Sequence, residues 1–536
     1  MGILFHNGTI YTMVSDGDFC EAVYVENGTI IKTGTEKELM ESFRETITQT
    51  VDLEQNVMFP GFVDSHLHLI GHGEKLIRLD LSNMDSAEEM EKALREKAAD
   101  LQDDEWLIGE GWNENNFIDR KIFHKHELDD ISGGRPVLLS RVCRHAFLVN
   151  SKALELAGIT SETPDPAGGI IKKDANGEPT GLLHDSAAEL VKKIVPEESQ
   201  EYLNRALRTS IENLLSLGLT GGHSEDLSYY GRVERPLKAY QTAFKNENLK
   251  FKAHLLVHHE VLDDFKMIKN DYQHPFVEFG AMKIFADGAF GGRTAWLSQP
   301  YNDAPETSGV YIHEDDELLT LLEKARQAEM NIAVHTIGDM ALQKTISAIK
   351  KCPPKRGVDR LIHAGLVSDS IIEEMKQLSV VLDIQPGFVA SDFPWLIERL
   401  GTDRIPYAFA FRTLLDEGLI CAGGSDAPIE PVDPLLGIYA AVSRRKPGET
   451  HDGYVPEQKI SRHEAVGLYT YGSAAAIGQE HVRGYIKEGY AADFTVYDRD
   501  LFTIPVDEIL KANVQFTIVD GEVIYQASTK ENTHSC

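Results

Sequence analysis

Cysteine is scarce. Cys20, Cys143, Cys352, Cys421 and Cys536 are the five in 536 residues, scattered and without Cys-x-x-Cys spacing. That excludes a disulfide framework or a cysteine-built zinc site and suits reduced thiols. Positive charge is also in deficit: 53 Lys and Arg face 85 Asp and Glu, a formal net charge of -32. Such a surface repels phosphate backbones and anionic lipid, and no basic cluster offsets it, so neither nucleic acid nor a membrane is an expected partner. No uninterrupted apolar run approaches the roughly 20 residues of a membrane span. The start "MGILFHNGTIYTM" lacks the charged-then-apolar layout of a secretory signal. Together these place the protein in the cytoplasm. There is no repeat with a shared motif, and no low-complexity tract beyond the polar tail "STKENTHSC".

What is present is enough apolar residue, 42% against 26% charged, to bury a sizeable core. Short β-rich runs with Asn7-Gly8 and Asn27-Gly28 turns fill residues 1–58, and a further Asp520-Gly521 turn falls in 481–536. These are hairpin signatures, so both ends of the chain contribute to one β domain. Between them, eight apolar β-type runs alternate with helix-compatible stretches, beginning with "GFVDSHLHL" and ending with "ICAGGSDAP". Strands separated by helices imply parallel βαβ units, and eight of them a closed (β/α)8 TIM-like barrel of α/β class. Residues 59–80 start the barrel and 211–480 complete it. The charged stretch 81–210 breaks the rhythm and is expected to be an α/β insertion after the first strand, a candidate substrate-shaping lid.

In "PGFVDSHLHL" His66 and His68 lie two apart after an apolar run. Along a strand such positions face the same way, so both imidazoles can reach one point; the bland alternative is a wet loop. Other strand ends repeat this chemistry with Lys283, His335, His363 and Asp426.

"PGFVDSHLH", "MKIFADGAFGGRTA", "HTIGDMAL", "IHAGLV" and "GGSDAPIEPVDPL" resemble, in order, the amidohydrolase superfamily of metal-dependent hydrolases, in the branch that holds N-substituted formamide deformylase. The resemblance runs over essentially the whole chain. It implies a barrel flanked by a small β-sandwich from both termini, and a homodimer as the oligomer. It implies divalent metal, zinc first, with His66, His68 and Asp426 on one ion, His335 and His363 on a second, and Lys283 bridging as a carbamate. The alternative for Lys283 is an ion pair with Asp287. The metal would lower the pKa of water toward about 7, with Asp426 as proton shuttle in cleavage of an amide or N-acyl or N-formyl amine of a small molecule. A mononuclear deaminase of ring amidines, or a non-catalytic scaffold, are the competing readings. Trp112, His145 and Asn150 match substrate-contacting segments of the branch. Cys143-Arg144 departs from the Asp-Gly found there in relatives. Arg293 would clamp a ligand or anchor a loop; Trp112 could equally be core.

Overall fold

The computed structural model describes residues 2–528 except 83, 102–104, 142–144, 167 and 197. The chain divides into two compact units, Met1–His72 with Leu207–Cys536, and Gly73–Ala206.

The first unit holds an eight-stranded sheet whose strands follow one another in sequence order, each parallel to its neighbour. We number them β1 (Phe62–Leu67), β2 (Leu219–Ser224), β3 (Lys252–His258), β4 (Val277–Phe285), β5 (Ile332–Thr336), β6 (Asp359–His363), β7 (Val380–Ile384) and β8 (Cys421–Gly423). Most are buried along nearly their whole length, as strands covered on both faces must be, and read as continuous apolar runs rather than alternating ones. The two ends of the sheet meet just beyond β1 and β8. There Asp426 N donates to His66 O at 2.7 Å and His68 N to Ala427 O at 2.8 Å. Closure therefore falls on the segments that carry His66, His68 and Asp426.

The chain ends form two further sheets. One is ordered Thr29–Gly34, Ala22–Glu26, Gly2–His6, Ile47–Asp52, and the other runs from Glu522–Gln526 through Phe494–Tyr497 and Val57–Pro60 to Phe19–Cys20. Their inner faces share a core of Ile3, Phe5, Val25, Met58, Phe494, Val496 and Ile518, so the N- and C-terminal hairpins make one sandwich.

The second unit is a six-stranded mixed sheet, Gly169–Lys173, Pro179–Asp185, Ala146–Val149, Val137–Arg141, Leu107–Trp112 and Leu79–Asp80. Met90, Leu94, Leu107, Leu128, Val137, Leu139 and Leu148 form its own core. It spans Gly73–Ala206, against the 81–210 expected for the insertion. Among the described residues, no helix is long and apolar enough to cross a membrane.

Candidate metal centre

β1 is buried on both faces, and its penultimate residue is His66, 1% exposed. His68 follows one step beyond the strand. Their Nε2 atoms lie 3.5 Å and 3.3 Å from the same Asp426 oxygen, Oδ1. The ligand atoms of the three all fall within 4.8 Å of one another, and no other set of His, Cys, Asp or Glu among the described residues converges so closely. Asp426 reaches this point with a left-handed backbone, φ +58°, and His363 does the same with φ +75°. Non-glycine residues held there are enriched at functional sites.

His335, the penultimate residue of β5, and His363, the last of β6, have ring centroids 4.4 Å apart. Each has its outer nitrogen committed. His335 Nε2 donates to Gly288 O at 2.9 Å, and His363 Nδ1 to Gln385 Oε1 at 2.6 Å. The inner nitrogens, His335 Nδ1 and His363 Nε2, are then both lone pairs, and they face each other at 3.0 Å. A cation between them relieves that repulsion. Burial disfavours a proton in the role, pushing His335 well below the ordinary histidine range and His363 down to about 4. Neutral imidazoles with outer N–H groups held by carbonyls are the state in which histidine binds zinc-type metals, so the donors fit such an ion.

Lys283, on β4, is 1% exposed, with Nζ 3.4 Å from His66 Nε2 and 4.3 Å over the Phe285 ring. It makes no ion pair among the described residues. Burial lowers its pKa, against the distant pull of Glu225 and Asp426. Asp287, the expected alternative partner, instead accepts from the backbone N–H groups of Trp296, Ile337 and Gly338 at 2.8, 3.0 and 2.7 Å. It ties the loop after β4 to the end of β5.

Two supports escaped the sequence reading. Asp64, in the middle of β1, accepts from His66 N at 3.0 Å and from Ser425 N at 3.0 Å, clamping the strand ends that carry His66 and Asp426. At the end of β2, Ser224-Glu225-Asp226 braces the chain leaving β1. Leu69 N donates to Ser224 Oγ (2.9 Å), Ile70 N to Asp226 Oδ2 (3.0 Å), and His68 Nδ1 to Glu225 O (2.5 Å). The last bond holds the ring with its Nε2 toward Asp426 Oδ1, 3.3 Å away. Neighbouring His223 is 2% exposed, and its Nδ1 has no hydrogen-bond partner among the described residues.

Each residue expected on the substrate side has partners within its own unit. Trp112 is 1% exposed in the core of the second unit, its Nε1 donating to Leu139 O at 3.3 Å. Asn150 is fully buried and caps Ser151–Leu156, its Oδ1 accepting from Ala153 N and Val137 N and its amide donating to Arg135 O. Both side chains are engaged in holding the unit together. Arg293 makes a two-pronged ion pair with Asp303 at 3.2 and 2.8 Å, the loop-anchoring alternative. His145 is exposed and pairs with Asp185 at 2.8 Å within the second unit; Cys143-Arg144 lies outside the described residues.

Residues 49–525 match the amidohydrolase family. Putative amidohydrolase YtcJ of Bacillus subtilis (strain 168) is 52% identical over 98% of this chain and 100% of its own. N-substituted formamide deformylase of Arthrobacter pascens is 25% identical over 98% of each. The crystal structure of an uncharacterized metal-dependent hydrolase from Pyrococcus horikoshii OT3 superposes with a TM-score of 0.78 at 29% identity, covering 94% of this chain and 99% of that one. This chain belongs to the amidohydrolase family and is a metal-dependent hydrolase.

Proposed function

We propose that the protein hydrolyses a carbon–nitrogen bond other than a peptide bond, in an amide or an N-acyl or N-formyl amine, using two divalent ions. His66, His68 and Asp426 would hold one and His335 and His363 the other, with Lys283 bridging them as a carbamate. Imidazole and carboxylate donors suit zinc, as they do manganese, iron and cobalt. Bound there, the metal supplies an activated water at neutral pH and polarises the scissile carbonyl.

The rest falls to the protein. Asp426 Oδ1 stands within 3.5 Å of both histidines of the first set, where it can take the proton from the attacking water and return it to the leaving nitrogen. Glu225 O and Gln385 Oε1 hold the Nδ1–H groups of His68 and His363, so their Nε2 atoms would be the ones to face the metal and would be closed to that proton once it is bound. Lys283 is held dry and without a contacting anion, which favours the neutral amine that can add carbon dioxide. The paucity of cysteine pairs fits a reducing compartment, the cytoplasm.

The observation that carries this reading is the pair of opposed lone pairs on His335 and His363, buried beside the His66–His68–Asp426 set. Metal analysis of the purified protein tests it. Two equivalents are expected, together with turnover of at least one compound in a panel of N-formyl, N-acetyl and longer N-acyl amines. One equivalent with an unmodified Lys283 would move the assignment to a mononuclear deaminase, and none to a scaffold.

A further inference from the structure

Tyr229 stands just beyond the brace at the end of β2 and is 50% exposed. It is fixed at both ends nonetheless. Its hydroxyl donates to Glu225 Oε2 at 2.6 Å, and Glu225 is itself fully buried. Its ring packs edge-on against that of His68, centroids 5.5 Å apart at 63°. His68 and Asp426 are the more open members of the first metal-ligand set, with side chains 18% and 13% exposed, so the ring borders the side from which a ligand reaches them. An aromatic face that is open to solvent yet already immobilised loses little further freedom when a ligand covers it. Flat apolar groups gain most from such a face.

Resting on the hydrolase reading above, we propose that Tyr229 is a substrate-contacting residue. It forms a subsite for an aryl group carried next to the scissile carbonyl, with Glu225 as the positioning residue that sets the ring. The preferred substrates are then N-aroyl or N-arylacyl amines rather than N-formyl or N-acetyl ones.

Isothermal titration of the metal-loaded protein with acetate and benzoate tests this without turnover, because both present a carboxylate where the scissile carbonyl would sit and only benzoate carries a ring. Benzoate is expected to bind about tenfold more tightly than acetate, a gain in the range of aromatic pairing. Tyr229→Ala should abolish that preference while leaving acetate affinity and metal content unchanged; Glu225→Gln, whose amide oxygen still accepts the hydroxyl, should retain it. If Tyr229→Ala loses metal, Tyr229→Leu repeats the test with the volume partly kept. Equal binding of the two anions to the wild type, or a preference that survives in Tyr229→Ala, overturns the subsite. So does tighter binding of glycine betaine than of benzoate, which would make the ring a cation platform. Absence of metal from the wild type would sink the hydrolase reading itself, whereas bound metal without a benzoate preference sinks the aryl subsite alone.

Discussion

On the two-metal proposal, Lys283 would decide how many metals the site can hold. A bare ammonium 3.4 Å from His66 Nε2 would repel a cation, whereas a carbamate offsets the repulsion between two of them. Lys283→Ala is therefore expected to lose at least one equivalent of metal and most activity, and propionate added to the variant should restore part of both. Metal analysis with and without propionate checks it. Full metal content in the unsupplemented variant would remove the bridging role. His68 offers a second test. Burial alone would lower its pKa, but without metal the hydrogen bond and charge of Asp426 raise it to about 9. The imidazolium is thus the metal-free form below about pH 9, and metal must displace that proton. Zinc uptake in weakly buffered solution at pH 7.5 should release close to one proton from this residue, falling toward none above pH 9. The sign for stability is consistent. In the metal-free protein the pairing with Asp426 contributes fully below the unfolded histidine value near 6.5 and is lost as pH rises through about 9. Proton release that is absent at pH 7.5 would show His68 neutral before metal arrives.

At the scale of elements, the barrel and its ligand strands are legible from sequence because their signals are local. Period-two spacing put His66 and His68 on one face, and buried parallel strands read as apolar runs ending in polar residues. The Asn-Gly and Asp-Gly turns marked the terminal hairpins for the same reason. What was not legible acts through backbone or across the barrel. Ser224, Glu225 and Asp226 hold His68 and the segment after it by bonds between side chains and backbone groups 155 to 157 positions apart in sequence, and no motif announces that. Asp64 likewise acts on a residue 361 positions away, accepting from Ser425 N just beyond β8. Trp112 and Asn150 have structural employment that residue type alone does not announce, in packing and in a helix cap. The brace predicts its own variant. Asp226→Ala removes the acceptor for Ile70 N and Tyr240 Oη, so His68 is held less firmly. Metal affinity, measured by competition with a chelator, should fall roughly 10- to 100-fold, the usual effect of losing an outer partner of a metal ligand. Wild-type affinity would show that β1 needs no support from β2.

For the whole molecule, the division into two units with separate cores sets how metal couples to stability. The proposed ligands lie at or near the ends of β1, β4, β5 and β6 and just beyond β1 and β8, all in the unit formed by Met1–His72 and Leu207–Cys536. Gly73–Ala206 contributes none of them, and its core of Met90, Leu94, Leu107 and Leu148 is its own. Metal that binds only the folded barrel stabilises it by about 4 kcal/mol when free metal stands a thousandfold above its dissociation constant. In a unit this large each kilocalorie moves the midpoint by only about 2 °C. Calorimetry should thus resolve two transitions, since units with independent cores need not unfold as one. Stripping the metal with a chelator should lower one of them by roughly 5–10 °C, by the same linkage and size scaling, and leave the other in place. The unmoved transition should coincide with that of the isolated 73–206 fragment, if the fragment's own core suffices to fold it. A single transition that shifts as a whole would mean instead that the two units unfold cooperatively, and metal at the barrel mouth would then stabilise the insertion as well.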